Sequence, residues 1–242
     1  MSKAHGLLRH AALSAIAAFA MGVGVFTAPP VAAANPSSIT PGARIDVEHA
    51  DTMSKCTVGP YVTYRQSGEK RYAALSAGHC GVHGEPVFWT DGNGNRRLVG
   101  NLFNPYDDIV GGVARDYVLI PLDVGLVNPA VSGMYEPINI MTMSELSSRI
   151  VNRTPTTVCA AGTSSGERCG PLVSASGRTG RIEARFPSEH GDSGGPVWVK
   201  TNDGIRIIGL LRGTPSTDPS ISVIVPIEMP LIAYDVKLIV AG

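Results

Sequence analysis

Six consecutive residues, Gly191-Asp192-Ser193-Gly194-Gly195-Pro196, present one hydroxyl among residues that free the backbone around it. A serine hydroxyl is a poor nucleophile near neutral pH, so it needs a base beside it and donors for the oxyanion it creates. Glycines flanking it permit conformations that a Cβ forbids, and can turn main-chain N–H groups toward a developing negative charge. Pro196 fixes φ and leads into Val197-Trp198-Val199, an apolar run that reads as a strand leaving the turn. A base stands upstream in Ser76-Ala77-Gly78-His79-Cys80, after the apolar stretch 72–75. An imidazole, with an ordinary pKa of about 6.5, suits proton transfer near neutral pH. Arg115-Asp116-Tyr117-Val118-Leu119-Ile120 then puts a carboxylate at the mouth of an apolar strand. Buried against His79, Asp116 would select the tautomer and stabilise the imidazolium. Asp107 and Asp108 are rivals for that role, but Asn104-Pro105-Tyr106-Asp107-Asp108 reads as a turn, so Asp116 is preferred.

Two other clusters look like metal sites and have simpler explanations. Asp91-Gly92-Asn93-Gly94-Asn95 begins like a calcium loop, yet Arg96 stands where that loop needs glycine and Leu102 where it needs Glu. A hairpin turn is the better reading. His79, Cys80 and His83 have no second thiolate pair at zinc-like spacing, so no metal site is expected. His83 reads as a loop residue, His190 as a cleft-rim residue just before the nucleophile, and His49 carries no signal.

Holding such side chains in register calls for short, rigid elements. Period-two patterning marks strands at 61–65, 72–76, 86–90, 98–103, 117–122, 156–160, 172–175, 180–186, 197–200, 205–211 and 222–225. Hairpin breaks fall at 66–68, 91–94 and 201–204. Helix is expected only around 142–149 and from about 228 to 238. With 28 Gly and 18 Pro in 242 residues, the class is all-β with many tight turns.

Residues 1–34 read as a secretory signal. Lys3 and Arg9 make a basic start, 11–28 is apolar, and Ala32-Ala33-Ala34 offers a small-residue cleavage site. An uncleaved anchor is the alternative, because the apolar run approaches the length that spans a bilayer. Its Ala and Gly content and Pro29-Pro30 favour cleavage after about Ala34 and no membrane association afterwards. The whole chain has 20 basic and 20 acidic residues, and loss of Lys3 and Arg9 leaves a formal charge of −2. That balance gives no sign of a nucleic-acid or membrane-surface partner. All 4 cysteines follow the signal, an even number in an oxidising setting, with three pairings open on paper.

In the order His79, Asp116, Ser193, these motifs resemble the chymotrypsin-like serine proteases, most closely the secreted bacterial branch of the streptogrisins and α-lytic protease. The resemblance runs from about residue 39 to the C-terminus. It also rests on Cys56 with Ala77-Gly78-His79-Cys80, on Val158-Cys159-Ala160-Ala161-Gly162 with Arg168-Cys169-Gly170, and on the tail Pro226-Ile227 and Leu231-Ile232-Ala233-Tyr234-Asp235-Val236-Lys237. It implies two six-stranded Greek-key β-barrels with a C-terminal helix. His79 and Asp116 would belong to a barrel over 35–128 and Ser193 to one over 129–242, with a crossover around 124–140. It also implies, together with sequence proximity, the disulfides Cys56–Cys80 and Cys159–Cys169. The implied activity is that of an exported, monomeric serine endopeptidase acting on proteins or peptides without a metal or cofactor. Ser193 would be the nucleophile, His79 the base and Asp116 its orienting carboxylate, with the N–H groups of Gly191 and Ser193 forming the oxyanion hole. A binding protein on a catalytically weakened protease scaffold and an esterase-biased hydrolase are the competing expectations.

The chain departs from that pattern in three places. Asp192 normally pairs with a buried cation, in the bacterial branch often an arginine right after the cysteine at 159, but here that residue is Ala160. Arg153, Arg168, Arg178, Arg181 or a processed N-terminus are the candidates, since an unpaired buried carboxylate is costly. Arg44-Ile45 looks like an activation cleavage site, although the approach to Cys56 is too short for a long pro-region. At the substrate pocket, Pro187 stands where trypsin-like relatives carry an aspartate, and Leu211-Arg212-Gly213-Thr214 replaces a serine and glycines. Arg212 and His190 together would favour an acidic residue before the scissile bond.

Overall fold

Strands dominate, and several of them serve two cores at once. The computed structural model describes residues 38–122, 127–132, 134–215 and 217–241. The expected secretory segment 1–34 and part of the expected crossover lie outside these residues. The first half runs through β1 (Arg44–Glu48), β2 (Met53–Thr57), β3 (Tyr61–Gln66), β4 (Glu69–Ser76), β5 (Pro86–Thr90), β6 (Arg96–Asn101), β7 (Phe103–Val110) and β8 (Val113–Leu122). The second half has β9 (Pro137–Ile140), α1 (Met143–Val151), β10 (Thr157–Gly162), β11 (Gly166–Ser176), β12 (Arg181–Ala184), β13 (Pro196–Thr201), β14 (Gly204–Gly213) and β15 (Ser222–Pro226). Then follow α2 (Glu228–Ala233) and β16 (Lys237–Leu238).

In the second half the order β13-β10-β11-β12-β15-β14 closes through β13–β14 pairing into a six-stranded barrel, with β9 added in parallel to β14. The link from β12 to β13 must therefore cross to the far side of β10, and this crossing carries the Ser193 loop. The first half folds as a four-stranded sheet, β2-β1-β5-β6, and a five-stranded sheet, β16-β3-β4-β8-β7. The link between β4 and β5 passes from one of these sheets to the other and carries His79.

Period two explains how the halves stay joined. On β8, Val118 and Ile120 enter the first-half core, while Tyr117 and Leu119 face the opposite way into a middle core. On β10, Val158 and Ala160 fill the barrel while Cys159 and Ala161 join the same middle core, together with fully buried Trp198 and Leu75. Each large apolar side chain so buried stabilises the arrangement by roughly 1.5–3 kcal/mol.

Three details differ from the sequence expectation. Residues 104–108 lie within strand β7, not in a turn. Asn104 takes a positive φ of 46° and the register shifts between Phe103 and Tyr106, so Pro105, which has no N–H, sits in the irregularity before pairing with β8 resumes. The C-terminal helix stops at Ala233 because Asp235 turns the chain at φ 51°, and β16 then pairs with β3 of the first half. Strands β1 and β2 were not expected. Their sequences RIDVE and MSKCT are short and rich in polar residues, yet Ile45 and Val47 are fully buried. Helix α1 forms where expected, begun by a capping box between Thr142 and Glu145.

Candidate active site

Asp116 has no exposed surface, and its carboxylate is shared between two parts of the same residue. Oδ1 accepts the His79 main-chain N–H at 3.0 Å, and Oδ2 accepts from His79 Nδ1 at 2.8 Å. With Asp116 as acceptor, Nδ1 carries the hydrogen and Nε2 is left with a free lone pair when the ring is neutral. His79 occupies a one-turn segment, Gly78–Cys80, that the Cys56–Cys80 disulfide fastens to β2. Burial pulls the His79 pKa down, while the Asp116 hydrogen bond and charge and the Asp107 charge push it up; Arg212 opposes them. The balance lies above the ordinary 6.5.

Ser193 is held from both halves. Its carbonyl accepts from Thr57 N at 2.8 Å, and the next residue, Gly194, donates to Leu211 O at 2.7 Å. The Ser193 hydroxyl donates to Arg212 O at 3.4 Å, and no hydrogen bond joins it to the His79 ring. Gly191 takes φ +101°, a conformation that L side chains rarely adopt, and a Cβ there would lie 2.6 Å from Ser164 Oγ. Its carbonyl accepts from the buried Thr57 hydroxyl at 2.7 Å, which itself accepts from Thr163 N at 3.0 Å. Among the described residues, neither Gly191 N–H nor Ser193 N–H has an acceptor. Two neighbouring donors without partners are what a developing oxyanion requires.

The expected cation beside Asp192 is not there. This fully buried carboxylate accepts three main-chain N–H groups instead: Ser164 at 2.8 Å and Ser165 at 3.0 Å on Oδ1, and Glu189 at 2.8 Å on Oδ2. No ion pair among the described residues involves it. The approach is close enough that a Cβ on Gly162 would lie 2.2 Å from Oδ1. Charge-assisted bonds to backbone donors thus do what an arginine would have done.

Two clefts meet at His79. One, of about 350 Å³, is lined by Asp107, Arg181, Arg212, Gly213 and Thr214. The other, of about 320 Å³, is lined by Ser54, Lys55, His190, Gly191 and Ser193. Arg212 and His190 therefore line different clefts, and the pair expected to receive an acidic substrate residue is not brought together in one of them. Arg212 instead turns to the first half, with Nε 3.2 Å from Asp116 Oδ2 and Nη2 3.7 Å from Asp107 Oδ1. Pro187 is exposed and lines neither cleft. The neighbouring Ser188 and Thr214, which follows β14, are joined through their hydroxyls at 2.8 Å.

Asp107 lies opposite Asp116 in the β7–β8 register, and Asp108 pairs with Arg115 along the same ladder. Asp91 accepts from Asn93 N and Asn95 N, each at 2.9 Å, within its hairpin turn. His83 accepts from Asn104 N at 3.1 Å in a surface loop. Sequence reasoning missed Thr57, and it found no role for His49. The His49 ring stands between Glu85 at 2.8 Å and Ser54 at 2.6 Å, bracing a residue of the second cleft. The second disulfide, Cys159–Cys169, ties β10 to β11.

This architecture is the chymotrypsin-like fold of bacterial serine proteases. Crystal structures that share it include Thermobifida fusca Protease A, with a TM-score of 0.60 over 84% of this chain and 100% of that one, at 22% identity. Nocardiopsis protease superposes with a TM-score of 0.56 over 83% and 98% of the two chains, at 20% identity. Cellulomonas bogoriensis chymotrypsin gives 0.56 over 84% and 100%, at 19% identity. No protein-family model and no curated protein sequence matches the chain. Among the described residues, no helix is long and apolar enough to cross a membrane.

Proposed function

We propose that this protein is an exported serine endopeptidase that works through an acyl-enzyme. The observation that carries the reading is the His79–Asp116 pair beside a serine whose loop offers two N–H groups without acceptors. Ser193 Oγ attacks the peptide carbonyl carbon as its proton passes to His79 Nε2, and the oxyanion is received by Gly191 N–H and Ser193 N–H. His79 returns the proton to the leaving amine, and the C–N bond breaks to give an ester on Ser193. Water, deprotonated by His79, then releases the acid and restores the hydroxyl. Before attack the Ser193 side chain must rotate from Arg212 O toward Nε2, an adjustment in keeping with the long catalytic hydrogen bonds common in unliganded enzymes.

Export rests on the basic and apolar segment before Ala34 and on the two disulfides. Substrates are proteins or peptides, and the chain acts as a monomer with its halves 35–128 and 129–242 supplying different members of the triad. Because three backbone donors satisfy Asp192, the oxyanion loop needs no new N-terminus to form.

A second reading, a binding protein on a protease scaffold, draws on the hydroxyl turned to Arg212 O and on the Ser188–Thr214 bridge across the cleft wall. Hydrolysis of a denatured protein and of a p-nitrophenyl ester separates the readings. Burst release of nitrophenol and cleavage of the protein, both lowered about 10⁶-fold in Ser193→Ala, are expected for the endopeptidase. Ester turnover without protein cleavage would leave an esterase, and neither activity would leave the binding protein.

A further inference from the structure

We propose that Arg212 is a positioning residue of this site: its guanidinium, bridging Asp116 and Asp107, braces the buried carboxylate behind His79 and keeps the base in its working form at lower pH. The inference rests on the catalytic reading above. Arg212 stands near the end of β14, in the second half, yet its side chain reaches two carboxylates of the first half, on β8 and β7. Asp116 is sealed from solvent, accepts two N–H donors from His79, and has Arg212 Nε 3.2 Å from Oδ2 as an ion-pair partner. Without Arg212, a buried negative charge would face a neutral imidazole with no permanent cation in contact, an expensive arrangement. The same residue offers its carbonyl to the Ser193 hydroxyl, so one position on β14 touches both the nucleophile and the carboxylate.

The charges around the base have opposing signs. Asp116 from β8 and Asp107 from β7 favour the imidazolium, and Arg212 from β14 disfavours it. Lys55 on β2 and His190 before the nucleophile face His79 across the second cleft. Around Arg212 itself, Arg181 and Glu183 of β12 line the neighbouring groove. Catalysis needs neutral His79, so removing a charge that favours neutrality must move the acidic limb of activity upward, and removing one that opposes it must move the limb downward.

The test is the pH titration of His79, followed by NMR in protein labelled with ¹⁵N-histidine and assigned with His79→Ala, alongside kcat/KM against pH on a neutral peptide. Arg212→Met keeps much of the side-chain volume and removes the charge. It is expected to move both the titration and the acidic limb to higher pH, with KM for the neutral peptide changed less than twofold, and Arg212→Lys is expected to restore most of the shift. Asp107→Asn is expected to move both the other way and remains informative if Arg212→Met fails to fold. An unmoved titration in Arg212→Met, or no downward shift in Asp107→Asn, would overturn the proposal. So would a loss confined to KM for acidic peptides, which would make Arg212 a substrate anchor. Titration shifts of the expected signs in a protein that hydrolyses nothing would uphold Arg212's role while removing the catalytic reading.

Discussion

Thr57 ties the Ser193 loop to the opposite half of the molecule, through its hydroxyl on Gly191 O and its N–H on Ser193 O. Thr57→Val keeps the shape but leaves Gly191 C=O and Thr163 N–H without their buried partner, a cost of about 1–3 kcal/mol for each such group. We expect a lowered urea midpoint and a kcat reduced at least about tenfold with KM little changed, because the oxyanion donors lose their brace; Thr57→Ser should recover most of both. Equal kinetics in Thr57→Val and the parent protein would show that the loop holds itself. This residue was invisible in the sequence because a threonine beside a cysteine has no pattern of its own. His79, Asp116 and Ser193 stood out in the sequence as candidates, since each sits in a run whose glycine, cysteine or apolar neighbours mark its setting. The partner of Asp192 was not, because main-chain donors leave no trace in side-chain identity.

At the scale of elements, the two disulfides are expected to part in their effects. Cys56–Cys80 encloses 24 positions and holds the turn that carries His79, whereas Cys159–Cys169 closes a separation of 10 within one hairpin. Chain entropy assigns each about 3 kcal/mol. Replacing either pair by alanine should therefore lower the unfolding free energy by roughly 2–4 kcal/mol, but only the Cys56→Ala/Cys80→Ala protein should also lose kcat/KM under conditions where it stays folded. Matching losses of activity in both would deny the first its role at His79. Elements were readable where apolar residues form short runs bounded by turn residues, as in β4, β8 and β14. They were not where the strand is short and polar, as in β1, or where a bulge follows a turn-like Asn-Pro pair, as in β7. The helix α2 ends earlier than expected because Asp235 turns the chain, and the Tyr234 hydroxyl just before that turn donates to Asn104 O at 2.6 Å, in the β7 irregularity.

For the whole molecule, glycine and proline content and strand patterning pointed to the all-β class, while the barrel of the second half and the return of β16 to the first half depend on pairings between strands far apart in sequence. A middle core joins the halves, and His79 from one and Ser193 from the other line the same cleft, so the proposed site belongs to the intact fold. Cleavage at Arg44–Ile45 would cut the start of β1, which pairs with both β2 and β5, and Ile45 is fully buried. Activation by that cut is therefore not expected. The central claim is tested most directly by fluorophosphonate labelling of purified protein whose Arg44–Ile45 bond is intact, with the modified residue located by mass spectrometry. The account predicts covalent labelling at Ser193, abolished in Ser193→Ala and slowed by several orders of magnitude in His79→Ala. A folded protein that takes no label, or takes it only after cleavage at Arg44–Ile45, would contradict it.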